Sequence, residues 1–122
     1  MREIKFRVFN SRDKIMHYDI TGFEFYPNGN ISGVFIDGVF FLIEEIELMQ
    51  YTGLKDKKGK EIFEGDIVYI ASEDENAFIL WDKETARYII QFKGWCADFD
   101  NFYGKELEVI SNIYKNPELL EE

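Results

Sequence analysis

At 122 residues the chain is long enough for one compact domain or two small subdomains sharing a core, and it should bury roughly two-thirds of its unfolded surface. Its 46% apolar and 17% aromatic content excludes a disordered chain, and a single cysteine, Cys96, excludes an internal disulfide. The formal net charge of -10 opposes binding to phosphate backbones, because residues 1 to 60 balance nine Lys/Arg against nine Asp/Glu while residues 61 to 122 hold five against fifteen.

Ile4, Phe6 and Val8 alternate with Lys5 and Arg7, the period of a strand with one buried face. Asn10 to Lys14 then turns the chain, and Ile15-Met16-His17-Tyr18 is expected to return as the hairpin partner. Phe23 to Tyr26 and Ile31 to Phe35 flank Asn28-Gly29, a strong hairpin signal, and Asp37-Gly38 repeats it before Val39 to Ile43. The first half therefore reads as a meander of about five strands. Glu44 to Met49 fits either a single helical turn or a strand.

From Leu48 to Val68 an apolar approach leads into a hydrophilic loop, Lys55 to Lys60, in which Asp56 and Gly59 supply turn residues. A second turn, Glu64-Gly65-Asp66, opens the run Ile67 to Ile70. Phe78 to Trp81 and Tyr88 to Phe92 are continuous apolar runs, the mark of strands buried on both faces. Glu106 to Ile110 restores alternation. Asn116 as a cap, Pro117 in the first helical position and Glu118 in the first turn predict a short C-terminal helical turn. The expected fold is mainly β, with an N-terminal β-meander subdomain over residues 1–55 and an SH3-like small barrel over residues 56–122.

The stretch Leu48 to Val68 reads LMQYTGLKDKKGKEIFEGDIV, and Val109 to Leu119 reads VISNIYKNPEL. These two blocks resemble the signature of the YopX family of phage and prophage proteins, and the resemblance runs from Lys5 to Leu120. It implies a protein of bacterial or phage-infected cells and assigns no activity. The reducing-compartment reading of Cys96, a start without a leading signal, and no run of ~20 apolar residues agree with a cytoplasmic location.

Chemistry-bearing residues are few. His17 is the sole histidine, with no nucleophile beside it in sequence, and Cys96 lies next to Trp95 and near Asp98, which favours a packed, unreactive thiol. Asp98-Phe99-Asp100-Asn101 begins like a calcium loop, but Tyr103 stands where Gly is required and Val109 where Glu is required. No catalytic set, cofactor or metal site is expected. The leading expectation is a non-catalytic protein-interaction module, with an interaction loop at Tyr51, Thr52, Gly53, Leu54, Lys55, Asp56 and Gly59. Self-association into a homo-oligomer is expected through Phe35, Phe40 and Phe41, because Val34 to Ile43 is apolar on both faces. Two alternatives follow from other residues: single-stranded nucleic acid stacked on Trp81, Tyr88 and Trp95, or a small hydrolase using carboxylates.

Overall fold

The turn signals of the sequence become strand boundaries in the computed structural model, which describes residues 3–99 and 106–121. The chain is mainly β, and the helical segments among the described residues are the 3-10 turns Ile43–Glu45 and Pro117–Leu120. Among the described residues no helix is long and apolar enough to cross a membrane. The chain divides into two compact units, one of Lys5–Gln50 and the other taking in Tyr51–Glu122 with the start of the chain.

In the first unit β1 (Phe6–Asn10) pairs antiparallel with β2 (Ile15–His17), while β3 (Ile20–Phe25), β4 (Ile31–Ile36) and β5 (Val39–Leu42) form a separate meander in the order β3-β4-β5. The two glycine turns of this meander differ. Asp37 and Gly38 both have positive φ, at 50° and 80°, which is the two-residue turn that matches strand twist. At Asn28-Gly29 only the glycine crosses over, with φ 92°, and Tyr26 N–H donates to the Asn30 carbonyl at 2.8 Å around a longer loop. Val8, Val34, Ile36 and Ile46 form the buried core, with Phe23, Phe41 and Leu48 packed against it.

The ambiguous segment resolves into both of its readings: Ile43–Glu45 is a 3-10 turn and β6 (Ile46–Lys55) follows at once. The first half of β6, Ile46 to Gln50, pairs with β1, and its second half pairs with β7 (Glu61–Phe63). In the second unit β8 (Asp66–Ile70), β9 (Glu75–Asp82), β10 (Arg87–Phe92), β11 (Trp95–Asp98) and β12 (Leu107–Asn112) make one antiparallel sheet in the order β11-β10-β9-β8-β12. That sheet is curled as half of a barrel, and its last strand returns beside its first. Its core holds Ile62, Val68, Ile70, Ile79, Ile90, Phe92 and Leu107. The consecutive pairs Ile67-Val68 and Ile89-Ile90 are buried, so these strands are covered on both faces.

Two local expectations are corrected. Asn116 stands at the cap position, but its side chain makes no cap bond; its Oδ1 accepts from Ser111 Oγ and its Nδ2 donates to Glu118, while its carbonyl accepts Leu119 N–H at 3.1 Å. Cys96 is exposed instead of packed, because edge strand β11 points it away from the core residues on its other face.

Gly33 on β4 is buried beneath the Phe40 ring: a Cβ there would lie 2.3 Å from Phe40 Cζ and 2.5 Å from the Phe41 carbonyl oxygen. The ring can rotate away, but the backbone oxygen cannot. Gly33→Ala should therefore lower unfolding stability by about 1–3 kcal/mol, the usual cost of overpacking, as read from denaturant midpoints.

Candidate functional site

The Leu48 to Val68 block is built around buried carboxylates. Asp56 is 6% exposed, and its carboxylate accepts three backbone N–H groups, from Lys58 and Lys60 through Oδ1 and from Val109 through Oδ2, each at 2.9 Å. The turn it caps is closed by Asp56 N–H to the Lys60 carbonyl at 2.8 Å and Gly59 N–H to the Asp56 carbonyl at 3.0 Å, with Gly59 at φ 83°. Because Val109 lies on β12, the same carboxylate fastens the β6–β7 turn to the edge of the half-barrel. Lys57 N–H adds a bond to the Leu107 carbonyl, and the Lys57 and Lys58 ammonium groups reach Glu108 at 3.5 and 2.8 Å.

Asp66, 1% exposed, does a similar task one turn later, accepting Phe63 N–H at 2.7 Å. Between the two acids Gly65, at φ 82°, donates to the Ile79 carbonyl and accepts from Ile113 N–H. Burial pushes the Asp56 carboxyl up, but the Val109, Lys60 and Lys58 amides and the Lys60 charge outweigh it, holding the group below its ordinary carboxylate value.

This arrangement distributes the expected interaction loop differently from a solvated loop. Tyr51 is buried with its ring 5.5 Å from Phe63, Asp56 is buried, and Thr52 donates its hydroxyl to the Ile62 carbonyl at 2.7 Å. Gly53, Leu54, Lys55 and Gly59 carry the surface. Spacing alone could not separate an acid that solvates a turn from one that anchors it, but the register of Asp56 two and four residues before its amide donors is the signal that could have.

The first unit carries the apolar surface. Val34 and Phe41 pair across β4 and β5 on the core side, so Phe41 packs inward, while the alternating pair Phe35 and Phe40 lies on the opposite face with rings 5.0 Å apart. Leu42, paired with Gly33, shares that outer face, and Val39, Phe40 and Leu42 are 54%, 37% and 47% exposed. β5 is an edge strand, and its sequence Val39-Phe40-Phe41-Leu42 contains no charge and no proline. Leu42 N–H donates not to β4 but to the Glu45 carboxylate, at 3.3 Å. Elsewhere in this unit a cleft of about 390 Å³ is lined by Asn10, Arg12, Asp13, Phe41, Glu44 and Glu45, and buried Asn10 shapes its loop by accepting Arg12 N–H and donating to Asp13.

Other residues with expected chemistry are scattered. His17 Nδ1 lies 3.9 Å from Asp19, and no group of three or more His, Cys, Asp or Glu that could hold a metal occurs among the described residues. Asp98 is on β11, where it binds Arg87 at 2.8 Å, while Asp100, Asn101 and Tyr103 fall outside the described residues. Trp81 stacks edge-on against Tyr88 at 4.9 Å, and Trp95 lies flat on Phe92 at 3.9 Å.

Asp56→Asn keeps an oxygen for one side of the clamp but turns an N–H₂ toward a backbone donor on the other. At pH 7 the substitution should cost about 2–3 kcal/mol, the range for a hydrogen bond to a charged group plus a stranded donor. The folded carboxyl titrates below its unfolded value near 3.8, so its stabilisation is present above that pH and is lost as pH falls through the folded value. Urea unfolding of both proteins from pH 7 to pH 2.5 should therefore show the gap between them narrowing below about pH 4.

The comparisons with known proteins bear on the whole chain. It is similar in structure to protein EF1440 from Enterococcus faecalis, at TM-score 0.77 and 28% identity, covering 99% of this chain and 100% of that one. It shares its fold with protein yopX from Bacillus subtilis, at TM-score 0.63 and 22% identity, covering 100% of this chain and 98% of the other. No curated protein matches it. The family model described as YopX protein matches residues 5–121, and the chain belongs to the YopX family.

Proposed function

We propose that this chain is a non-catalytic module that binds another protein by accepting an extended, apolar segment along the open edge of β5. The observation that carries this reading is the edge itself: a strand with three exposed apolar residues and no charged side chain, proline or bulge of its own, whose one covered N–H, on Leu42, is held by the Glu45 carboxylate just past the strand end. Edge strands of stable proteins usually carry such guards, so an unguarded one is suited to strand addition, with backbone bonds giving affinity and alternate side chains giving selectivity. Glycines support the surface beside it. Gly33 lies under Phe40, and a Cβ on Gly22 would lie 3.6 Å from the Phe35 ring, so each aromatic packs over a glycine of the sheet.

The reading with single-stranded nucleic acid is less well supported, because Trp81 and Trp95 spend ring faces on Tyr88 and Phe92 and the chain carries a charge of -10. A bacterial or phage-infected cytoplasm is the setting in which the module would meet its partner.

Leu42→Lys places a charge on the edge at a half-exposed position, whereas Leu54→Lys does so at a similarly exposed position of the other unit. Wild-type and variant chains used as bait in host-cell extract, read by quantitative mass spectrometry, should yield a protein retained by wild type and Leu54→Lys and lost by at least tenfold with Leu42→Lys. The purified pair should reproduce that order by calorimetry. Equal retention of every captured protein by all three baits overturns the reading.

A further inference from the structure

We infer that the segment accepted by β5 is β5 of a second copy, joined antiparallel about a two-fold axis through Phe41; this rests on the strand-addition reading above. The backbone directions limit the register, and of those they allow, the one centred on Phe41 uses both outward residues of each copy. Residues of an antiparallel edge strand alternate between bonding the inner neighbour and pointing outward. Since Leu42 N–H reaches the Glu45 carboxylate instead of β4, Leu42 is an outward residue, and two positions earlier Phe40 points its N–H and carbonyl off the same open edge. A second β5 running the opposite way sets Phe40 against Leu42 of the other copy, and Leu42 against Phe40. Each of these two pairs exchanges both of its backbone bonds, four in all, and the Glu45 carboxylate gives up Leu42 N–H as the strands meet.

The side chains agree with that register. Phe40 and Leu42 lie on one face, so pairing sets each aromatic ring beside a leucine of the other copy. Phe41 faces its own symmetry mate on the core side. No charged side chain lies between Val39 and Leu42, although the same register carries Asp37 of one copy toward Glu45 of the other, a repulsion that salt screens; the apolar patch itself is self-complementary, as an isologous dimer requires. The exposed parts of Val39, Phe40 and Leu42 amount to roughly 300 Å² per copy, given ~150–250 Å² for a whole large side chain. That is well below the ~800 Å² per partner of a standard interface, so the dimer is weak and concentration-dependent. Each copy carries a charge of -10, and salt screens their mutual repulsion, so raised ionic strength should strengthen association.

Light scattering after size exclusion, run from about 1 to several hundred micromolar at low and high salt, reads the mass directly. The wild-type mass should rise from 14.5 kDa toward twice that value with concentration, and rise earlier at high salt. Leu42→Lys and Phe40→Lys should stay monomeric with unfolding midpoints that show them folded, and Leu54→Lys should behave as wild type. Amide exchange supplies a second reading that does not depend on a variant: Phe40 N–H should gain protection with concentration, while Phe41 N–H, already facing β4, should not. A 14.5 kDa species throughout, or a dimer that survives both lysine variants, overturns the inference. In that event, edge-dependent capture of a different protein would leave the module reading standing, whereas loss of both results would remove both.

Discussion

A single buried carboxylate holds the second unit in register. Asp56 accepts two amides from its own turn and one from β12, so the oxygen pair that shapes a tight loop also fixes the outermost strand of the half-barrel. Such a group is costly to bury unless its oxygens find donors, and here three backbone amides supply them. The turn is thereby rigid, and the lysines that follow it, Lys57 and Lys58, are held over Glu108 as a consequence. Surface ion pairs of that kind add little by themselves. Asp66 and Gly65 repeat the principle at the next turn, tying β7 and β8 to β9 and to the residue after β12.

Strand existence was legible wherever side chains alternated or turn residues required positive φ. Ile31 to Leu42 shows this best: two β-prone runs around Asp37-Gly38 became β4 and β5 in the register that the turn dictates. What escaped the sequence were features that depend on partners far along the chain. Asp56 reads as a solvating acid until Val109 is seen beside it, fifty-three residues later. β11 reads as four unremarkable residues until β10 supplies its ladder, and that placement at an edge is why Cys96 faces solvent. Asn116 has the composition of a cap, yet Ser111 competes for its side chain. Of the candidate contact residues, the alternation of Phe35, Phe40 and Phe41 was readable, but which parity faces the core was settled by packing against Val8, Val34 and Ile46.

The first unit works by a different economy of side chains. Its small core leaves the far side of β4 and β5 with aromatic rings packed over glycine, so large apolar groups stay close to the sheet while remaining open to contact. Glycine in a strand weakens it, and here the ring of Phe40 covers the position that Gly33 leaves empty.

The span between Asp56 and Val109 has a bearing on how the chain acquires its fold as it is synthesised. Every strand pairing of the Lys5–Gln50 unit closes within that segment, so its contacts are available as soon as those residues emerge. The second unit has no such freedom: β8 and the Asp56 carboxylate both wait for β12, which emerges only after β9, β10 and β11. Long-range pairings of this kind are slow to form because the intervening chain must first be ordered. For the interval before β12 arrives, one flank of β8 and a carboxylate destined for burial face water, and the order of synthesis makes that the stage at which this protein is most exposed to mispairing or proteolysis.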